Sequence, residues 1–215
     1  FEHNGRSILF TGDYIESTLV YRCDRIRNIC ADNAVIDCAY GYDKTSCSEY
    51  CKTLIERTLQ LLAKYPLLIF PVPKYGRGEE ILTLFASNGI NAKYYGDEHF
   101  IKQLSDNSSF WKKERNIPQI SFDQNADKGI FFISSPQLNT PQTAELAKQL
   151  ISKCGYAVMT GTIESGTLNE KIIKTGQGEF IRYPVHQGIN ECVSLCQTNR
   201  FKTAIAYHSK EKITI

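Results

Sequence analysis

Four ionisable side chains stand where strands of this sequence run out: Asp13, Asp37, His186 and His208. Carboxylates and imidazoles can bind ligands, and imidazole also transfers protons near neutral pH. Asp13 closes the stretch "ILFTGDY", in which Gly12 permits a tight turn at the strand end. Two of the four histidines in the chain, His186 and His208, fall within its last thirty residues. Each residue alone has a plainer reading. A strand-end Asp often shapes a turn, and a single His is often just a satisfied core or surface group. The joint arrangement carries the argument, because ligand sites of open α/β sheets form at the carboxyl ends of strands.

The elements that position these residues alternate between strand and helix. Strands are expected at "SILFTGD", 33–41, 66–73, "NAKYYGD", 129–136, "YAVMTGTI" and 202–209. Helices are expected at 46–65, 75–89, 139–155, a short segment in "GTLNEKIIKTG", and 186–199. Ser46 with Glu49 forms a capping-box pattern. Thr140, Pro141 and Gly155 read as cap, first turn and stop of one helix. Such alternation predicts an α/β fold with largely parallel pairing. The segment 97–128 reads as a long irregular excursion.

Composition is that of an ordinary globular chain: 215 residues, 42% apolar, 22% charged, net charge +2. No apolar run reaches the ~18 residues of a membrane helix, so no membrane partner is expected. The eight cysteines show no CxxC pair or zinc-ribbon spacing. Free, mostly buried thiols in a reducing cytoplasm are expected.

Six stretches, in order, resemble the β-CASP branch of the metallo-β-lactamase fold, the group of ribonuclease J and the pre-mRNA 3′-end-processing endonuclease. They are "ILFTGDY", "VIDCAYG", "LIFPVPKYGRGEEIL" with Gly76 and Arg77, "MTGTIESGTLNEKII" with Gly161, Gly166, Thr167 and Leu168, "VHQGINECVSL" and "AIAYHS". The resemblance implies part of an αββα sandwich, residues 1–41 and 184–215, with an inserted β-CASP domain over 42–183. It implies zinc as cofactor, two ions in a complete centre, with Asp13 and His208 as metal ligands. It makes His186 the proton donor to the departing ribose oxygen and Asp37 the carboxylate that orients it. It also implies RNA as the partner, since His stands at the position of His208 in RNA-processing members. Lys74, Arg77, Lys112, Lys113 and Arg115 are candidate phosphate contacts. The sequence leaves room for a homo-oligomer.

The chain departs from that pattern. The His-x-His-x-Asp-His metal motif is absent, and His3 lies too close to Asp13 to be a further ligand. Truncation upstream of Phe1 is the simplest expectation, and a fragment with two ligands is expected to hold zinc weakly and to be inactive alone. Pro184-Val185 precede His186, Ser209-Lys210 follow His208, and Cys38-Ala39 follow Asp37. The alternative is a non-catalytic RNA-binding or scaffold relative that lost the zinc site. A nucleotide-binding module lacks support, with no GxGxxG after the first strand and no Walker A sequence.

Overall fold

A computed structural model describes residues 1–112 and 117–213. In chain order its elements are β1 (Glu2–His3), β2 (Arg6–Phe10), β3 (Cys30–Asp37), α1 (Cys47–Lys64), β4 (Leu67–Pro71), α2 (Arg77–Ser87), β5 (Tyr94–Gly96) and α3 (Glu98–Asp106). There follow β6 (Gly129–Ile133), α4 (Pro141–Ser152), β7 (Gly155–Met159), α5 (Leu168–Lys174), β8 (Gly178–Phe180), α6 (Ile189–Gln197) and β9 (Arg200–Tyr207). The class is mixed α/β with mainly parallel sheets. The chain divides into two compact units, 1–18 with 23–49 and 184–215, and 19–22 with 50–183. The contacts divide within the first turn of α1, whereas the sequence reading drew its line at 41/42. No described helix is long and apolar enough to cross a membrane.

The first unit holds a sheet in the order β1-β2-β3-β9, antiparallel only between β1 and β2. Alternate residues of its strands, Leu9, Ala34, Ile36, Ala204 and Ala206, pack with Cys192, Leu195 and Cys196 of α6. The register puts Phe10, Val35 and Ile205 side by side on the opposite face. Phe10 and Ile205 are each 53% exposed there, and Phe1 lies edge-on to Phe10. One face of this sheet is therefore covered by a helix, and the other presents an apolar row.

The second unit holds an all-parallel sheet in the order β5-β6-β4-β7-β8. Every residue of β4, β6 and β7 is buried, as strands covered on both faces require. Ile69 of β4 joins Ala147 and Leu150 of α4 in one core cluster, while Phe70, pointing the other way, meets Phe85 of α2. Phe132 stacks on Phe100 of α3.

Several expectations require correction. The segment 97–128 contains α3, which Asp97 caps by accepting from Phe100 N; its polar surface residues masked the buried Phe100 and Leu104. Gly155 does not stop α4. Cys154, at φ 67°, makes the left-handed turn, and Gly155 opens β7, where a Cβ would strike the Leu150 carbonyl. The helix expected from 186 begins at Ile189, and the last strand ends at Tyr207, which leaves His186 and His208 outside regular structure. Strand β8 was not expected. All eight thiols are free, but only Cys38 and Cys192 are buried, so "mostly buried" does not hold. The Ser46–Glu49 capping box is reciprocal: Ser46 N donates to Glu49 Oε2, and Glu49 N donates to Ser46 Oγ.

Glu80 of α2 anchors the segment Leu19–Arg22 within the second unit. Its carboxylate accepts from Leu19 N at 2.5 Å, Val20 N at 3.0 Å, Tyr21 N at 3.2 Å and the Tyr183 hydroxyl at 3.2 Å. Glu80 is 6% exposed, so water cannot easily replace it. Glu80→Ala leaves these donors unmet, and the expected loss is about 3 kcal/mol of unfolding free energy in urea titration. A loss below ~1 kcal/mol would mean that the segment is held by other contacts.

Candidate metal and proton-transfer site

The parallel pairing of β3 with β2 and β9 brings three chain ends to one edge. Thr11 Oγ1, just past β2, accepts from Asp37 N at 2.9 Å and donates to Gly12 O at 2.8 Å. Gly12 then turns the chain at φ 63°, and Asp13 projects with its side chain 69% exposed. On the other side, Asp37 lies level with Tyr207, so His208 is the first residue past β9. His208 sits at φ 73°, a left-handed conformation that costs a side-chain-bearing residue roughly 1–2 kcal/mol. Its ring stacks on Tyr207 with centroids 5.8 Å apart.

Asp37 is wholly buried. Its Oδ2 accepts from Tyr14 N at 2.9 Å and meets His186 Nδ1 at 2.8 Å, and its Oδ1 accepts from Ala39 N at 3.2 Å. Burial pushes this carboxyl up. The His186 bond, the Tyr14 amide and the Ala39 amide outweigh burial and hold it below the ordinary carboxylate value. His186 precedes α6, its side chain 18% exposed. Val185 N donates to the Tyr40 hydroxyl at 2.9 Å, and the Tyr40 ring meets the imidazole edge-on at 5.8 Å. The His186 and His208 rings are perpendicular, 4.8 Å apart. With Nδ1 spent on Asp37, His186 has Nε2 left for other chemistry.

One donor atom from each of Asp13, Asp37, His186 and His208 lies within 4.8 Å of the other three. The spacings separate two kinds of contact. His186 to Asp37, at 2.8 Å, is a hydrogen bond. His208 Nδ1 lies 3.5 Å from Asp13 Oδ1 and 3.3 Å from Asp37 Oδ1, too long for strong bonds. Tetrahedral zinc with bonds of about 2.0–2.1 Å separates its ligands by about 3.3–3.4 Å. These nitrogen and oxygen donors form a group that could hold a metal ion. Thiols contribute nothing here: burial pushes Cys192 and Cys38 up, so both stay protonated, and Cys192 donates to the Asp37 carbonyl at 3.1 Å.

All four residues singled out from the sequence meet at this edge. Thr11 and Tyr40 were given no role there, although each lies within three residues of a chosen one. His3 is an exposed residue of β1. In the second unit Arg77 opens α2, and a Cβ at Gly161 would collide with its guanidinium. Thr167 caps α5 by accepting from Glu170 N, with Leu168 as the first helical residue. Lys112 donates its backbone N–H to Val20. Lys113 and Arg115 lie outside the described residues. No family model matches this chain, and no curated protein matches it in sequence.

A depressed carboxyl stabilises the fold fully above its ordinary value near 4, and that contribution disappears as pH falls through its lower folded value. Asp37→Asn is expected to lower stability at pH 7 and to narrow its deficit against the native chain below about pH 4. Urea titrations across that range check this; a deficit that stays constant with pH would mean that the Asp37 charge contributes nothing.

Proposed function

We propose that this chain carries part of a zinc-dependent RNA phosphodiester hydrolase of β-CASP type, on a metallo-β-lactamase sandwich. The observation that carries the reading is the Asp37–His186 hydrogen bond of 2.8 Å beside donor atoms of His208 and Asp13 that lie 3.5 Å apart. Asp13 and His208 would hold the metal. When bound, zinc supplies positive charge against the phosphate oxygens and acidifies the attacking water. Asp37 accepts from His186 Nδ1 and fixes the ring. His186 then gives the proton on Nε2 to the departing ribose oxygen. The apolar row of Phe10, Val35 and Ile205 supports the sandwich, because a second sheet would bury it. RNA as substrate rests on the resemblance at His208.

Two ligands do not complete a four-coordinate zinc site. The reading therefore requires further ligands beyond Asp13 and His208, and it expects this chain alone to hold zinc weakly and not to cleave. That requirement also favours a second reading, a non-catalytic RNA-binding relative in which the edge survives without its metal.

The two roles separate by substitution in the full gene product. His186→Ala should lower RNA cleavage by about 10²–10⁴-fold with zinc content unchanged. His208→Ala should lower zinc content itself. Unaltered cleavage in the first variant removes His186 from proton transfer, and full zinc retention in the second removes His208 from the ligand set.

A further inference from the structure

The amino-terminal end of the five-stranded sheet carries a cavity of about 560 Å³. Its lining comes from the chain just before three strands: Pro66 before β4, Asn91, Ala92 and Lys93 before β5, and Asp127 and Lys128 before β6. Backbone bonds tie these three starts together. Gly129 N donates to the Pro66 carbonyl at 2.8 Å, and Ile130 N donates to the Lys93 carbonyl at 2.9 Å. Gly129, at φ 121°, permits the approach, since a Cβ there would lie 2.4 Å from the Lys93 carbonyl oxygen and 3.2 Å from the Tyr95 ring. The sheet itself therefore preforms the cavity, as ligand sites generally require.

The lining divides into an apolar wall and a charged rim. Leu62, Pro66, Ala92 and Tyr95 supply the wall. The Tyr95 ring stacks on Phe131 with centroids 6.1 Å apart, which fixes its plane. Lys93, Asp127 and Lys128, all exposed, supply the rim. Among the described residues these three side chains have no hydrogen-bond or ion-pair partner, and neither has the Tyr95 hydroxyl. Two ammonium groups and a phenol are donors suited to one carboxylate. Asp127 on the same rim opposes a second negative charge, such as a phosphate dianion carries. The apolar wall with its fixed ring suits an aromatic body.

We propose that this cavity binds a small aromatic monocarboxylate, with its charge at Lys93 and Lys128 and its ring against Tyr95, Leu62 and Pro66. The proposal does not rest on the hydrolase reading, because every lining residue belongs to the second unit.

Calorimetric titration of this chain with 1-naphthylacetate, 1-naphthylacetamide and acetate tests it, with backbone NMR shifts to locate binding. The acetamide keeps the ring and lacks the charge; acetate keeps the charge and lacks the ring. Naphthylacetate should bind at one site about tenfold tighter than either, the worth of one charge-assisted hydrogen bond, and shift signals of residues 91–95 and 127–130. Lys93→Ala and Lys128→Ala should each weaken naphthylacetate and leave the acetamide unchanged, which also shows that the variants fold. Asp127→Asn should tighten naphthylacetate by removing the opposing charge. Asp13→Ala should leave its binding unaltered even if zinc binding is abolished. Naphthylacetate that binds no better than the acetamide, shifts confined to other segments, or lysine variants that bind as the native chain does would overturn the site.

Discussion

The buried carboxylate of Asp37 joins segments that are far apart in sequence. It receives the Tyr14 amide from the turn after β2, the Ala39 amide from its own turn, and the imidazole of a residue 149 positions later. A buried carboxylate is tolerated only when its oxygens are fully met. The bonds that meet it are therefore the bonds that assemble the site. Parallel register with Tyr207 then delivers His208 to the same oxygen pair. Structure and candidate chemistry share one constraint here: the charge that could orient an imidazole is also the charge that the fold must satisfy.

The second unit obeys a different constraint. Its central strands bury both faces, so its helices must divide between the two sides of the sheet. That division decides where the connecting loops leave. The first unit has a helix on only one face of its sheet and an exposed apolar row on the other. Contiguous exposed apolar patches are a mark of interaction surfaces.

Much of this was legible in residue order. Capping pairs such as Ser46–Glu49 and Thr140–Thr143 act locally, and local chemistry fixed those helix starts. The continuous apolar runs of β4, β6 and β7 identify doubly covered strands without any knowledge of their neighbours. The meeting of Asp13, Asp37, His186 and His208 was legible only through their shared position at strand ends. What sequence hid was set by tertiary packing. Helix α3 depends on Phe100 stacking with Phe132, not on a long periodic pattern. Gly155 looked like a helix stop because glycine favours that role, yet the close approach of the Leu150 carbonyl is what demands it. Strand β8 is three residues long, too short to show alternation. The Asp97 carboxylate caps α3 and also accepts from Ser134, a bond between residues 37 positions apart.

The most direct measurement is metal content and coordination of the full gene product, by elemental analysis with X-ray absorption at the zinc edge. The account predicts about two zinc ions per chain in mixed nitrogen and oxygen coordination, without sulfur. A metal-free protein, or one whose RNA cleavage persists undiminished after chelation, would contradict it.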